Sequence, residues 1–461
     1  MTAPSENPSK RWAVVGGGML GLATARRLRQ RGQSVTVFES GDSLGGLTSA
    51  WQIGDVAWDR FYHVTLLSDL YLRELLKELD LEREMEWVQT RTGFYSKGKL
   101  HSLSSSIDFL RFPVLNLYQK FRLGSTIFFG SKLRNWRSLE KMPVEKWLRR
   151  WSGNSTFEKI WLPLLKCKLG ASYERTNAAF IWAYMQRMYA ARRSGMKREM
   201  FGYVAGGYGR MLSALAKRLK EQNVQLRTNT KVHRITQVPD SGQWSLQFES
   251  EGEASSDRFD RVIVTVQSPA ILGTVDGLSE HEIDRLQRTD YLGVVCTSLL
   301  LDRPLGGFYV TNITDPGIPL TGVIEMGTIL KPEKLGGHYL VYLPQYMLAE
   351  DPAMNESDDQ VHERCLATLE KMYTEFRRSG VRAIQTARAR FVMAIPTIEY
   401  SQSRCPVVAA QPGLYLLNSA RIVDGTLNVN EIIRLVDNEL PTSIWPAHEK
   451  LLAQSTLKSY Q

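Results

Sequence analysis

Apolar positions first condense at Trp12-Ala13-Val14-Val15, a short unbroken run of the kind buried on both faces of a parallel sheet. From Leu20 to Arg31 the composition turns helical and closes at Gly32, a predicted C-cap. A second short run, Ser34 to Glu39, reads as a strand that ends in a carboxylate. Farther on, Ser68 to Glu82 places Leu and Tyr at helical spacing, and Pro143 stands at an N1 position ahead of another helical stretch. Beyond residue 290 the pattern changes to alternation, as in Val294–Asp302 and His338–Leu343, and predicts strands. No internal repeat interrupts this order.

The first three elements enclose Gly16, Gly18 and Gly21, which satisfy G-x-G-x-x-G between a strand and a helix. In that context the first glycine makes a tight turn, the second lets backbone approach a pyrophosphate, and the third lets the helix pack on the sheet. The helix start at Met19 and Leu20 offers free N–H groups and a positive dipole end to phosphate. Glu39 follows at the spacing of an acid that accepts hydrogen bonds from an adenosine ribose. A bound dinucleotide is therefore expected. The motif alone does not choose between NAD and FAD.

The next residues make that choice. Leu44-Gly45-Gly46-Leu47 stands shortly after Glu39, and Gly54 to Val64 follows it. Here the chain resembles the flavin-containing amine oxidase superfamily, which includes protoporphyrinogen oxidases, carotenoid-type desaturases and UDP-galactopyranose mutases. The resemblance implies that Gly45 and Gly46 lie against the FAD pyrophosphate, with Leu47 where amine oxidases often carry arginine. It extends to Gly206-Gly207 with its helix and two strands, where Val232 matches a residue whose backbone holds the adenine end. It extends also to Arg261–Pro269, Phe391–Ile398 and Gly413–Leu440. In the last stretch the helix beginning at Asn428-Val429-Asn430 would aim its N–H groups at the flavin, and Asn418-Ser419 replaces the usual Gly-Asp or Gly-Glu. The implied fold is α/β: a discontinuous Rossmann-like FAD-binding domain (1–65, 200–290 and 385–461) with an inserted α+β substrate domain (66–199, mostly helical, and 291–384). Non-covalent FAD is expected, because no cysteine stands where covalent relatives carry one.

The implied activity is hydride transfer from a small-molecule substrate, amine-bearing, hydrophobic or lipid-like, to flavin N5. A flavin-dependent sugar nucleotide mutase and a flavin-binding scaffold without turnover are the alternatives. Tyr62 and His63 lie just beyond the flavin-binding segment, and His63 reads either as a group beside the ring that handles a proton or as a hydrogen-bonded core histidine. Tyr208 and Arg210 follow the Gly206-Gly207 turn and are candidates for the same cavity. Lys166 and Lys168 are two apart on a helix, so at most one of them lines a site. The aromatic and methionine-rich Phe180–Val204 is either core or the wall of an apolar substrate site.

Bulk composition narrows the partners. The 461 residues are 43% hydrophobic and 23% charged, an ordinary globular balance, with a formal net charge of +10 that favours an anionic partner. The basic residues follow no nucleic-acid-binding pattern, so nucleic acid is not expected. Ile107 to Arg137 interleaves basic and large apolar residues, as a helix lying on a membrane surface does, although solvent-facing basic helices share the pattern. No apolar run reaches the roughly eighteen residues of a bilayer span. The polar N-terminal residues lack a secretory signal's apolar core, and the four cysteines form no CxxC pair, so a cytoplasmic setting and no metal site are expected. The sequence leaves substrate, electron acceptor and oligomeric state open.

Overall fold

The computed structural model describes residues 9–192 and 200–459; residues 193–199 of the aromatic-rich stretch and 1–8 of the polar N-terminus lie outside them. A five-stranded sheet runs in the order Gln225–Arg227, Ser34–Phe38, Arg11–Val15, Arg261–Val264 and Leu414–Leu416, every pair parallel. Its strands come from three separate stretches of chain. The helices Met19–Gln30, Gly207–Glu221 and Val429–Glu439 cover one face through Leu22, Leu28, Leu215 and Ile433. A three-stranded antiparallel sheet covers the other through Trp244, Leu246 and Phe259. Coverage on both sides is why Trp12 to Val15 carries no polar position.

A second sheet of seven strands holds Tyr291–Leu301 second from one edge, between Val381–Ala394 and Tyr339–Leu348. That strand is buried along its whole length, because Val294, Cys296 and Leu300 join one core and Val295, Leu299 and Leu301 another. The far edge of the sheet is Thr92–Ser96 with Lys99–Ser102, a hairpin supplied by the first insertion. These two short strands, with Met85–Gln89 paired to Met200–Val204, are the β-structure that the mostly helical pattern of that insertion does not announce.

The rest of the first insertion packs helices around Phe157, Leu148, Trp147 and Leu165. Among them Leu117–Gly130 starts in a capping box formed by Asn116 and Gln119, which satisfies the first free N–H groups of the helix. Its outer face is apolar and uncovered. Leu117 is 73% exposed, Phe121 72% and Tyr118 68%, and Ile107, Leu110, Phe128 and Phe129 continue the patch. Among the described residues no helix is long and apolar enough to cross a membrane.

Candidate cofactor and substrate site

The glycine turn is built as its spacing predicts. Gly16 donates its N–H to the Phe38 carbonyl at 2.8 Å, tying the turn to the neighbouring strand. A Cβ on Gly21 would lie 1.9 Å from the Gly16 carbonyl oxygen, so only glycine lets the helix Met19–Gln30 start this close to the turn. Gly18 differs: the nearest atom to a Cβ there is the Gly45 carbonyl oxygen at 4.0 Å, and the face is open. No side chain caps the helix at Gly18, which leaves the leading N–H groups near Met19 and Leu20 for an anion. Glu39 accepts from the N–H of Gly17 at 2.8 Å and of Gly41 at 2.7 Å, holding its carboxylate beside the turn.

The second glycine turn closes against the first. Gly45 donates to the Gly17 carbonyl at 2.8 Å, and Gly46 takes a positive φ of 56° beside the Cα of Gly18. Leu47 then packs against the core on one face of the seven-stranded sheet. On the strand Thr230–Gln237, the Thr230 N–H donates to the Glu39 carbonyl at 2.8 Å, which brings Val232 near the acid. The paired strands Ala50–Ile53 and Val56–Asp59 follow, and here, among the described residues, buried polar atoms stand without hydrogen-bond partners: Trp51 Nε1, Arg60 Nε and His63 Nδ1, the last 3.9 Å from Asp59 Oδ2. An open glycine face, an uncapped helix start, a carboxylate at a strand end and unpartnered polar atoms beyond it fit an extended dinucleotide.

At the C-terminal piece the asparagine side chains are occupied within the protein. Asn418 accepts from the Ala420 N–H at 3.2 Å, and Asn428 caps its helix by accepting from the Glu431 N–H at 3.1 Å. Asn430 accepts from the N–H groups of Tyr71 and Leu72 at 2.9 and 3.2 Å, capping a helix of the first insertion. Any cofactor contact from Asn428, Val429 and Asn430 therefore falls to backbone N–H groups.

Beyond His63 the fold gathers a chamber of tyrosines. Tyr62 and Tyr346, 284 residues apart, bring their hydroxyls within 3.1 Å. Tyr184 lies near both, and Tyr208 stacks on His63 with ring centroids 4.9 Å apart. These side chains lie deep in the protein yet keep part of their surface uncovered, as lining residues do. Burial raises the hydroxyl pKa of each tyrosine, with Tyr184 at about 12, so all are neutral donors at physiological pH. Arg187 reaches the same region paired with Asp69 at 3.2 Å.

Two carboxyl and imidazole groups at its edge are displaced in opposite directions. Burial pushes Asp59 up to about 8, although the Tyr208 N–H donates to it at 2.8 Å. Burial lowers His63 to about 4. A neutral imidazole this weakly basic is a poor proton acceptor at neutral pH, and its ring lies stacked on Tyr208.

Two expectations from the sequence separate here. Tyr208 turns inward, but Arg210 is exposed and ion-paired with Glu84 at 2.6 Å. The helix Gly207–Glu221 begins at this turn and carries residues two apart onto different faces, which removes Arg210 from the chamber. Lys166 and Lys168 divide in the same way. Lys166 lines a surface cleft of about 830 Å³, whereas Lys168 Nζ sits inside, 3.0 Å above the centroid of the Tyr346 ring. Tyr346 carried no distinctive sequence signal, since only the folded sheet brings it beside Tyr62, whereas Lys168 was one of the two lysines of which the sequence allowed one at a site.

Comparison with known proteins agrees with this geometry. The family described as flavin containing amine oxidoreductase matches residues 20–422. Coproporphyrinogen III oxidase of Mycobacterium tuberculosis is 26% identical over 288 residues, 58% of this chain and 61% of that enzyme. The 15-cis-phytoene desaturase of Synechococcus elongatus is 31% identical over 107 residues, 21% of this chain and 23% of the desaturase. The solved structure of putrescine oxidase bound to putrescine superposes with a TM-score of 0.70 at 17% identity, covering 95% of this chain and 99% of that one, and shares the fold.

Glu39→Ala should weaken FAD retention by one or two hydrogen bonds to a charged group, each about 1.5–3 kcal/mol. Equilibrium dialysis of the holoprotein measures it, and unchanged retention would remove Glu39 as the ribose ligand. His63 gives a prediction for stability. The unfolded chain protonates this histidine below about 6.5 and the native state only below about 4, so its contribution is full above 6.5 and lost as pH falls toward 4. His63→Phe keeps a ring on Tyr208 and removes that titration, while Asp59, whose contribution falls as pH rises from about 4 to 8, is common to both proteins. Between pH 6.5 and 4, urea midpoints should show the wild type losing about 1–3 kcal/mol relative to the variant. Parallel pH profiles would contradict the buried neutral state.

Proposed function

The chain belongs to the flavin-containing amine oxidoreductase family, and from that premise we propose that it oxidises a largely apolar small molecule held in the tyrosine-lined chamber. It is an FAD-dependent oxidoreductase with non-covalent FAD. The observation that carries the proposal is the convergence of Tyr62, Tyr184, Tyr208 and Tyr346 beyond the strand pair that follows the second glycine turn. We assign residues 1–65, 200–290 and 385–461 to the cofactor, and 66–199 with 291–384 to the substrate.

FAD, when bound, supplies a hydride acceptor at its N5, a chemistry that no side chain possesses. The chain's own part is to bind and orient. Gly18, Gly45 and the uncapped start of the helix Met19–Gln30 receive the diphosphate, Glu39 the ribose, and the leading N–H groups at Val429 the polar end of the flavin. Leu47 and His63 border the chamber, whose aromatic walls exclude water and press an apolar substrate into place. Tyr62 and Tyr346 offer neutral hydroxyls that orient a polar substituent.

We further propose peripheral contact with a membrane through the uncovered face of Ile107 to Leu133, in a cytoplasmic setting. Exposed Leu117, Tyr118, Phe121, Phe128 and Phe129 lie among Arg111, Arg122, Lys132 and Arg134, an apolar surface set in positive charge. The helix Ala178–Arg192 connects this face to the chamber. Its Tyr189 ring meets Phe128 at 6.5 Å, and its Tyr184 lies near Tyr62 and Tyr346.

Anaerobic addition of a substrate drawn from lipid, amine and sugar nucleotide panels should bleach the flavin absorbance. Turnover only after prior reduction, with no net change in flavin oxidation state, would instead establish a mutase, and absence of turnover with every class a scaffold. Sedimentation with vesicles tests the membrane contact. The protein should pellet with vesicles containing an anionic lipid, and Leu117→Ser with Phe121→Ser should lower the partition coefficient about tenfold or more. Equal sedimentation of the double variant would place the contact elsewhere.

A further inference from the structure

Lys168 is the exception among the charged groups of the chamber. Arg187 is compensated there by Asp69 at 3.2 Å and donates to Thr426 Oγ1 at 3.4 Å. Lys168, half-buried on the helix Leu162–Leu169, holds its Nζ 3.0 Å above the Tyr346 ring, and among the described residues no carboxylate pairs with it. Its burial lowers its pKa well below the usual lysine range, with no acidic neighbour to raise it. An ammonium held partly out of water without a counter-charge is costly, which is why its proton is weakly held. The ring face offsets part of that cost. The remainder is what a ligand of opposite charge would recover.

The surroundings specify that ligand. The ring beneath Nζ carries the hydroxyl that meets Tyr62 at 3.1 Å. Within that hydroxyl pair one O–H is spent on its partner and the other is free to donate. A lysine that regains its proton beside an anion, together with one free O–H, matches a carboxylate, which carries a single charge and two acceptor oxygens. A phosphate dianion would need a second cation, and among the described residues Arg187 is already paired with Asp69. A substrate ammonium would be repelled at this end. The neighbouring walls are aromatic and apolar, from Tyr184 and Met188 to Phe201 and Tyr309.

We propose that Lys168, with the Tyr62–Tyr346 hydroxyl pair, is a carboxylate-binding subsite, and that the substrate is an amphiphilic organic acid whose apolar body lies along the chamber. The subsite rests on the reading of the chamber as the substrate site. Lys168 positions the substrate by its charged end and takes no part in the hydride step.

The test uses the FAD-loaded protein and three probes of equal chain length: dodecanoate, dodecanol and dodecylamine. Binding is read from the perturbation of the flavin absorbance spectrum at neutral pH. Dodecanoate should bind roughly ten- to a hundredfold more tightly than dodecanol, the range of one charge-assisted hydrogen bond. Lys168→Met, which keeps the apolar stem, should abolish that preference and leave dodecanol affinity and flavin content unchanged, and Lys168→Arg should restore part of it. Equal dodecanoate preference in the wild type and Lys168→Met, or dodecylamine as the tightest ligand, would overturn the subsite while leaving the chamber as the substrate site. Failure of all three probes to perturb the flavin would overturn the chamber reading and the subsite together.

Discussion

The close approach of two glycine turns governs this structure. With a Cβ on Gly21 the helix Met19–Gln30 would collide with the Gly16 carbonyl, and a Cβ on Gly45 would lie 2.4 Å from Leu212. Because both are glycine, Gly45 donates to the Gly17 carbonyl and the turns close beside an open Gly18 face. One turn leads into a helix on the parallel sheet and the other into the strand pair that ends at Asp59, so a single pair of contacts fixes the cofactor cradle relative to the chamber. The Asp59 carboxyl then accepts from the Tyr208 N–H, and its carbonyl accepts from Tyr342 of the seven-stranded sheet at 2.5 Å. Asp59 is thus one meeting point of the nucleotide fold and the substrate sheet, and the Tyr62–Tyr346 hydroxyl pair is another.

Local chemistry was legible in the sequence wherever adjacent residues carry it. The strand, turn and helix around Gly16 to Gly21 follow from an apolar run, glycine spacing and a helical composition that all agree. Glu39 was legible for the same reason. The seven-stranded sheet was legible in part: Tyr291–Leu301 declares a strand, but its burial on both faces depends on two cores assembled from distant segments.

The chamber was legible least. Tyr62 was visible beside a flavin-binding pattern, whereas its partner Tyr346 is one of many residues in an apolar strand 284 positions away. Arg210 was misplaced because a glycine turn does not reveal which face of the following helix points inward. The asparagines at 418, 428 and 430 were expected near the cofactor, yet their side chains close helix ends and neighbouring turns, a use set by local N–H groups that motif matching does not register. The outer face of Leu117–Gly130 shows the reverse case. Its mixture of basic and large apolar residues reads directly as exposed, because the capping box at Asn116 fixes where the helix starts.

The central claim is that FAD is held jointly by three separated pieces of chain around this pair of glycine turns. Hydrogen exchange of backbone amides, compared between the apoprotein and the FAD-loaded protein, tests it most directly. The account predicts slowed exchange on loading in Gly17 to Leu22, in Gly45 to His63 and at the start of the helix Val429–Glu439, together. Slowing confined to the first of these segments would contradict it.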